Sequence, residues 1–353
     1  MFLLATLCLS LLLAHGPVEV RSSRDIDISS IENLMSKILV TENIIGKQME
    51  ILKKTFDVRF DPELWKSPDK LKEIVPDFEA LIIRNQTMIT SDLITVANKL
   101  KVIGRHGVGI DNVDLNATTQ AGVLVTYAPE QNAISVAELV IGLILCLARK
   151  IPAADRSTRK GEWERQRFTG TEIFNKTIGI IGLGRIGYRV GTRARAFGMD
   201  IIAYDPYINQ DSLNVSELQA SLLSLNDLCH QADYVTCHLP LTDETKKIFN
   251  YEMFCSMKPT AFFINLSRGG VVNEEGLLRA LQNKQIAGAA LDVRQDEPPM
   301  KDMFSEMENV ILTPHVGGIT EESRERVVSC VCKDVAAVLQ GEKPIHAVNS
   351  IRF

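Results

Sequence analysis

A glycine-rich run in the middle of the chain has the clearest chemical meaning. Its residues are Gly182-Leu183-Gly184-Arg185-Ile186-Gly187, and their spacing is typical of loops that bind the pyrophosphate of a dinucleotide. Gly182 allows a tight turn, Gly184 lets the backbone approach the phosphates, and Gly187 lets helix and strand pack closely. The N-terminus of the following helix offers free N–H groups and the positive end of its dipole to the anion.

The segments around this run are those that such a loop requires. The apolar segment Thr177–Ile181 is predicted to be a central parallel strand, and residues 186–197 a helix. A second strand, Asp200–Tyr204, leads to Asp205. A carboxylate there accepts hydrogen bonds from an adenosine ribose and repels a 2′-phosphate. The pattern therefore predicts a Rossmann fold that binds NAD in preference to NADP.

Four further polar residues stand at or just after the ends of later predicted strands: Arg268, Asp292, Glu297 and His315. In a doubly wound sheet, ligands bind beyond the carboxyl ends of the strands. Arginine can bind a carboxylate through two parallel hydrogen bonds. Histidine, with an ordinary pKa of about 6.5, can exchange a hydroxyl proton, and a nearby carboxylate favours its charged form. Beside a dinucleotide, this set suits hydride transfer involving a 2-hydroxy acid.

The composition of the whole chain narrows the class of protein. With 353 residues, about two domains are expected. Hydrophobic residues make up 45% and charged residues 24%, as in ordinary globular proteins. The net charge of −5 gives no overall field that would gather nucleic acid. Short strands alternate with helices along most of the chain, which favours an α/β fold with parallel sheets.

The cysteines predict neither a disulfide scaffold nor a metal site. There are seven, and none forms a CxxC motif. Cys330 and Cys332 are two residues apart on a predicted helix, so their side chains should diverge, and no histidines cluster nearby. We expect ordinary reduced thiols, mostly buried.

The N-terminus departs from the ordinary composition. Residues 2–14 form an apolar stretch, too short to span a bilayer but suited to the core of a signal peptide. The interpretation is a signal peptide or leader over residues 1–23 and a secretory protein. The alternative is an uncleaved leader on a cytoplasmic protein. Five Asn-x-Ser/Thr sequons occur, but Asn265 is expected to be buried beside the site, so we interpret them as chance.

Several segments together resemble the D-isomer-specific 2-hydroxyacid dehydrogenases, in the family's order and over roughly residues 25–350. They are GRHGVGIDN (104–112), SVAE (135–138), GLGRIG (182–187), HLPLT (238–242), NLSRGG (265–270), LDV through EP (291–298) and TPHVGG (313–318). KGEWER (160–165) and FTGTE (168–172) are most similar to the phosphoglycerate dehydrogenases of this family.

The resemblance implies two Rossmann-like doubly wound domains with an active-site cleft between them. Residues 24–129 and 316–349 would form the substrate domain, and residues 130–315 the NAD-binding domain. A homodimer through the cofactor domain is implied, with a small 2-hydroxy or 2-oxo acid as substrate. Neither nucleic acid nor a stable membrane span is expected. Because the chain stops at Phe353, the regulatory domain of longer relatives is expected to be absent.

The resemblance also assigns roles to individual residues. His315 would exchange the proton, Glu297 would pair with it, and Arg268 would hold the substrate carboxylate and the reacting oxygen. Asp292 would fix the nicotinamide carboxamide. Cofactor contacts are implied for Val108, Gly182, Gly184, Arg185, Ile186, Gly187, Asp205, Leu239, Leu266, Ser267, Arg268, Asp292, His315, Gly317 and Gly318. Substrate contacts are implied for Arg84, Gly107, Val108, Gly109 and Arg268.

Two positions depart from the phosphoglycerate-specific pattern. Asn85 stands where serine is common, and Val108 stands where threonine or another polar residue is frequent. A phosphorylated substrate needs several cations, for which Arg84, Arg105, Arg165 and Arg167 are candidates. Two alternatives stay open: a hydroxypyruvate or glyoxylate reductase, and an NAD-binding protein like the transcriptional corepressors of this fold.

Overall fold

Two parallel β-sheets organise the chain. The computed structural model describes residues 35–300 and 303–351, so the predicted leader lies outside the described residues. The first sheet contains β1 (Lys37–Val40), β2 (Asp57–Phe60), β3 (Ala80–Ile83), β4 (Val102–Arg105) and β5 (Leu124–Thr126). The second contains β6 (Thr177–Ile181), β7 (Asp200–Tyr204), β8 (Ser221–Leu222), β9 (Tyr234–Cys237), β10 (Phe262–Asn265), β11 (Gly288–Leu291) and β12 (Val310–Leu312).

Helices cover the faces of both sheets. They are α1 (Lys47–Thr55), α2 (Pro68–Ile74), α3 (Ser91–Val96), α4 (Leu115–Gln120), α5 (Ala133–Arg149), α6 (Ile151–Arg159), α7 (Arg185–Ala196), α8 (Leu213–Leu218), α9 (Leu225–Gln231), α10 (Tyr251–Cys255), α11 (Glu274–Gln282) and α12 (Glu321–Leu339). Three 3₁₀ turns, Leu64–Lys66, Val75–Asp77 and Gly269–Val271, complete the described elements.

The first sheet has the strand order β2-β1-β3-β4-β5, with every pair parallel. On one face, α1 and the long C-terminal helix α12 bury apolar side chains against β1, β3 and β4. On the other face, α2 and α3 pack against the same strands. The chain therefore returns to this sheet after it has formed the second one.

The second sheet has the order β12-β11-β10-β9-β6-β7-β8, again all parallel. The order reverses at β6, between β7 and β9, as it does at the ligand-binding switch point of a Rossmann fold. Helices α5, α7 and α8 pack on one face, and α9, α10 and α11 on the other. The glycine run follows β6 and therefore lies at the switch point.

The predicted elements agree with the structure best where the apolar run is short and bounded by turn residues. The strands predicted before and after the glycine run have the expected bounds. The apolar run of residues 80–83 also predicts a buried strand, and the structure has that strand at Ala80–Ile83. The polar composition of residues 156–171 predicts a connector that crosses the surface, but in the structure its first four residues belong to the helix Ile151–Arg159. Half of the six described cysteines are fully buried, and Cys255 is exposed. Asn265 is buried as predicted, with 1% of its surface exposed.

No helix among the described residues is both long enough and apolar enough to cross a bilayer.

Candidate active site

The glycine run forms a tight link between β6 and α7. Gly182 has a φ of +89°, a conformation that favours glycine. A Cβ at Gly187 would lie 2.1 Å from the carbonyl oxygen of Gly182, so any side chain would push the helix off the strand. A Cβ at Gly184 would meet no atom within 4 Å, and no side chain caps the start of α7. The loop thus leaves open space at a helix N-terminus whose N–H groups can bind phosphates.

Asp205 closes this loop from the neighbouring strand end. Its Oδ2 accepts a hydrogen bond from the Leu183 amide at 3.0 Å, and its Oδ1 accepts one from the Tyr207 amide at 3.0 Å. The carboxylate is therefore fixed beside the glycine run, where the sequence places a ribose ligand. Arg185, at the first position of α7, forms an ion pair with Glu130 at 2.5 Å.

Leu239, Leu266 and Ser267 follow β9 and β10 at the same edge of the sheet. Both leucines are largely buried, with 8% and 7% of their surface exposed. The Ser267 hydroxyl donates to the Asn265 Oδ1 at 2.8 Å, so the buried sequon asparagine supports this loop. Leu239 lies beside Gly182 of the glycine run and Leu266 beside Gly317 of the His315 loop, so both supply apolar surface at this edge of the sheet, which suits a dinucleotide.

His315 and Glu297 form a close pair. The Nδ1 atom of His315 is 2.6 Å from the Glu297 Oε2, and Oε1 of the same carboxylate accepts the Arg294 amide at 3.0 Å. Burial raises the pKa of Glu297, but the hydrogen bonds from His315 and from the Arg294 amide outweigh it, so the pKa lies below its ordinary value. Glu297 therefore stays charged near neutral pH and fixes the ring so that its Nε2 is free for a substrate.

Asp292 orders the loop that carries His315. Its carboxylate accepts hydrogen bonds from the Thr313 hydroxyl at 2.5 Å and from the amides of Val316 at 2.9 Å and Gly317 at 2.7 Å. Its carbonyl oxygen accepts the His315 amide at 2.8 Å. His315 has a φ of +53°, which non-glycine residues seldom adopt. The loop contacts of buried Asp292 maintain that conformation.

Arg268 links the two sheets. It follows β10, and its Nε lies 3.2 Å from the Asp111 Oδ2, on the loop after β4. Gly109 lies beside this pair, since a Cβ there would be 2.0 Å from the Arg268 Nη2. The carboxylate of Glu297 also experiences the positive charge of Arg268. The arginine therefore lies between the His315–Glu297 pair and the glycine-containing loop of the first sheet.

Buried polar groups position the substrate-side loops. Glu42 has 5% of its surface exposed, and its Oε1 accepts the amides of Arg84 at 2.7 Å and Thr87 at 3.0 Å. The Asn112 side chain donates to the carbonyl oxygens of Arg84 at 2.8 Å and Thr87 at 2.7 Å. These bonds join the loops after β1, β3 and β4 and fix the backbone of Arg84.

Several basic side chains lie around these substrate-side loops. Burial, with help from neighbouring Arg268, lowers the pKa of Arg105 to about 10. Burial also lowers the pKa of Arg84, and Arg324 at the start of α12 adds to this effect. His106 is 9% exposed, and burial beside Arg84 and Arg105 lowers its pKa to about 3. Such mutual repulsion of cations favours the binding of an anion among them.

Of the other residues predicted to contact substrate, some lie beside the cationic side chains of the first sheet and others lie on a separate exposed segment. Gly107 has a φ of +144°, and a Cβ on it would overlap the Arg105 guanidinium. Val108 has 36% of its surface exposed, next to these glycines. Arg167 instead pairs with Glu164 and Glu308 on an exposed segment, to which Arg165 also belongs. The structure therefore brings together Arg84 and Arg105, with Arg268 and Arg324.

Gly317 and Gly318 continue the loop of His315. A Cβ on Gly317 would lie 2.9 Å from the Asp292 Oδ2, and one on Gly318 would lie 2.8 Å from the Asn132 Nδ2. Glycine at both positions permits the close contact of this loop with β11 and with the start of α5.

Four buried side-chain atoms in the described part of the chain lack a hydrogen-bond partner: Arg105 Nε, His106 Nδ1, Asn132 Oδ1 and His238 Nδ1. Their residues lie at or just after the carboxyl ends of β4, β5 and β9. Buried polar groups without partners are costly, so these atoms fit a region that binds polar ligands. The open helix terminus at Gly184 and the carboxylate of Asp205 fit a dinucleotide there.

Sequence reasoning missed several residues of this region. Asp111 and Asn112 stand within the GRHGVGIDN segment, so the motif itself offered a signal for them. Glu42 lies far from every quoted motif, and Arg324 lies six residues beyond TPHVGG, outside the motif itself. Arg324 reaches the substrate-side loops because α12 packs on the first sheet. No local sequence pattern predicts that contact.

Comparisons with known proteins agree with this geometry. The model of the D-isomer specific 2-hydroxyacid dehydrogenase NAD-binding domain matches residues 141–317. The chain is 44% identical over 317 residues to D-3-phosphoglycerate dehydrogenase of Methanocaldococcus jannaschii, covering 89% of this chain and 60% of that protein. The enzyme of that name from Homo sapiens is 44% identical over 285 residues, covering 80% and 53%. The chain thus spans little more than half the length of these curated relatives.

Solved structures show the same architecture. A protein from Thermus thermophilus is 32% identical, with a TM-score of 0.83 over 89% of this chain and 100% of that one. A glyoxylate reductase from Paecilomyes thermophila is 27% identical, with a TM-score of 0.80 over 89% and 98%. The family's NAD-binding domain coincides with the second sheet, its glycine run and the His315 loop. The chain belongs to the D-isomer specific 2-hydroxyacid dehydrogenase family.

Proposed function

We propose that the chain catalyses NAD-dependent oxidation of a phosphorylated D-2-hydroxy acid such as 3-phosphoglycerate, and the reverse reduction. The observation that carries the proposal is the His315–Glu297 pair at 2.6 Å, beside Arg268. Many other NAD-binding proteins could share the glycine run, but this pair supplies a proton acceptor, and Arg268 beside it supplies a receptor for the substrate carboxylate. The 44% identity to phosphoglycerate dehydrogenases supports the choice of substrate class.

The catalytic residues have distinct tasks. Arg268 binds the substrate carboxylate and the reacting oxygen through its guanidinium N–H groups. His315 accepts the hydroxyl proton at Nε2, because its Nδ1 faces Glu297. Glu297 stabilises the imidazolium that results. The chemistry that a bound NAD would supply is acceptance of a hydride from the substrate carbon.

Gly182, Gly184, Arg185, Ile186 and Gly187 would hold the pyrophosphate in this proposal. Asp205 would hold the ribose, Leu239 and Leu266 would supply apolar surface, and Asp292 would order the loop beside the nicotinamide. The carboxylate of Asp205 would also set the preference for NAD over NADP.

The cations of the first sheet support a phosphorylated substrate. Arg84 and Arg105 are both partly buried, and each experiences the charge of other cations in the group. An isolated hydroxy acid needs only one carboxylate receptor, for which Arg268 suffices. A phosphate would neutralise the remaining cations, so the excess positive charge favours a substrate with a second anionic group.

A substrate panel tests the proposal. With NAD, we expect kcat/KM for 3-phosphoglycerate to exceed the values for glycerate, lactate and sulfolactate. Arg84→Ala should lower kcat/KM for 3-phosphoglycerate by about 10–100-fold, the range expected for lost hydrogen bonds to a charged group. The loss for glycerate should be smaller. The matched control is Arg59→Ala, since Arg59 is exposed on the edge strand β2.

The alternatives give different results in the same panel. A glyoxylate or hydroxypyruvate reductase would prefer the unphosphorylated substrates and show no selective effect of Arg84→Ala. A corepressor-like binding protein would bind NADH without turnover of any substrate. Either result would overturn the proposed substrate, and the second would also overturn the proposed reaction.

Assembly and location complete the proposal. A homodimer is proposed from the family resemblance, and sedimentation at micromolar concentration would test it.

Residues 1–23 are proposed to be a signal peptide or leader, with a cytoplasmic protein as the alternative. N-terminal sequencing of the natural protein would distinguish cleavage within this segment from its retention.

A further inference from the structure

A second cluster of chemically versatile side chains lies where the last helix meets the C-terminal segment. Cys330 and Asp334 are four residues apart on α12, so they lie on the same face of the helix. The Nδ1 atom of His346 is 3.2 Å from the Cys330 Sγ and 2.8 Å from the Asp334 Oδ2. All three atoms therefore converge on one point, within 4.8 Å of one another.

The surrounding backbone holds these groups in place. The second oxygen of Asp334 accepts the Ile345 amide at 2.8 Å. The Tyr127 amide donates to the His346 carbonyl oxygen at 3.2 Å, and Ala347 forms an antiparallel bridge with Thr126 at the end of β5. The histidine is thus fixed between a helix and a strand. Only 3% of the Asp334 side chain is exposed, against 27% of the His346 side chain, so the cluster opens to solvent on the histidine side.

We propose that Cys330, Asp334 and His346 bind a zinc ion. A thiolate, an imidazole and a carboxylate are the donors that Zn²⁺ takes in proteins, whereas Mg²⁺ and Ca²⁺ take oxygen donors. Tetrahedral coordination at ordinary bond lengths separates the donor atoms by about 3.4–3.6 Å. The two observed distances would need to increase by only about 0.3–0.6 Å. The fourth position belongs to water.

The geometry argues against a nucleophilic cysteine. In a cysteine–histidine–carboxylate relay, the thiol and the carboxylate contact different ring nitrogens. Here the thiol and the carboxylate both face the Nδ1 of His346. Convergence of all three donors on one point suits a shared cation better than a relay of protons.

The competing description is an ion pair between His346 and Asp334 that anchors the C-terminal segment, with Cys330 as a neighbour. The two descriptions differ in whether the sulfur is a ligand. Co²⁺ replaces Zn²⁺ in such sites, and a cysteine ligand produces a thiolate-to-cobalt charge-transfer band in the near ultraviolet. An ion pair with a bystander thiol produces no such band.

The test is a Co²⁺ titration of the full chain under reducing conditions, followed by displacement with Zn²⁺. We expect one equivalent per chain, with the charge-transfer band, in the wild type. Cys330→Ser should abolish the band and weaken Co²⁺ binding at least about tenfold. Even the loss of a residue that only hydrogen-bonds to a metal ligand lowers metal affinity by about 10–100-fold. His346→Ala should weaken Co²⁺ binding similarly. Cys255→Ser is the matched control, because Cys255 is an exposed thiol outside the cluster.

Each outcome decides the matter. The site is supported if the wild type and Cys255→Ser bind one Co²⁺ per chain and show the charge-transfer band. Cys330→Ser must then lose the band, and both Cys330→Ser and His346→Ala must bind Co²⁺ more weakly. A folded wild type without the band overturns it, as does an equal band in Cys330→Ser. If Cys330→Ser fails to fold, His346→Ala decides instead: unchanged affinity there would contradict the proposal, and weaker affinity would support it.

Discussion

Replacement of Gly109 by alanine tests whether Arg268 must keep its position. A Cβ at residue 109 would lie 2.0 Å from the Arg268 Nη2 and 2.7 Å from the Asp111 Oδ2. Carbon and nitrogen atoms prefer separations near 3.5 Å, so the guanidinium must move by about 1 Å or more. A displacement of that size at a catalytic centre can cost about 100-fold in rate.

We therefore expect Gly109→Ala to lower kcat/KM by about 10–100-fold, which corresponds to about 1.4–2.7 kcal/mol of transition-state stabilisation. The free energy of unfolding should change by less than about 1 kcal/mol, because the clash is with the end of a flexible side chain. NADH affinity should be unchanged, since the cofactor is proposed to bind at the glycine run of the second sheet.

The assay combines steady-state NADH formation with fluorescence titration of NADH and chemical denaturation. Gly142→Ala is the matched control, because a Cβ there, within α5, would meet no atom within 4 Å. Unaltered kcat/KM in a folded Gly109→Ala protein would refute the placement of Arg268. An equal loss in Gly142→Ala would show that the effect is not local.

Three further predictions concern the catalytic histidine, the cofactor and pH. His315→Ala should lower kcat by about 100–10,000-fold while NADH still binds in fluorescence titration; normal turnover would contradict its role. Asp205→Ala should reduce the preference for NAD over NADP at least about tenfold, since it removes hydrogen bonds to the ribose; an unchanged ratio in steady-state kinetics would exclude that contact. Burial lowers the pKa of His238 to about 3, so the unfolded chain, with an ordinary pKa near 6.5, binds more protons between these values. Stability should therefore fall as pH falls through this window, by about 2 kcal/mol at pH 5 for this residue. His238→Gln should remove that part of the pH dependence in urea denaturation; an unchanged dependence would refute the argument.

Local patterns account for the parts of the fold that depend on neighbouring residues. The strand Thr177–Ile181, the glycine run and the strand Asp200–Tyr204 were predicted with correct strand bounds, because the short apolar runs end at residues that favour turns. The sequence predicts a polar connector over residues 156–171, but the first four of these residues belong to the helix Ile151–Arg159. The helix is only nine residues long and mostly polar, so contacts with the rest of the chain must supply much of its stability.

The candidate site likewise has one part that local sequence patterns predict and one part that depends on tertiary contacts. The order of strand ends along the chain was enough to group Arg268, Asp292, Glu297 and His315, because parallel strands expose their carboxyl ends at one edge. The approach of Arg268 to Asp111 and Gly109 required the second sheet to be placed against the first. That contact spans 157 residues of sequence, and no local preference determines it.

The sequence by itself determined the type of fold and pointed to the glycine run, Glu297 and His315 as candidate site residues, since each depends on residue types at short, fixed spacings. Only the tertiary structure decided which cations surround the substrate loops. Arg324 reaches them because α12 buries its apolar face on the first sheet. The same helix brings Cys330 and Asp334 to His346. Such groupings follow from the burial of distant apolar surfaces, which sets side-chain neighbours that no spacing along the chain specifies.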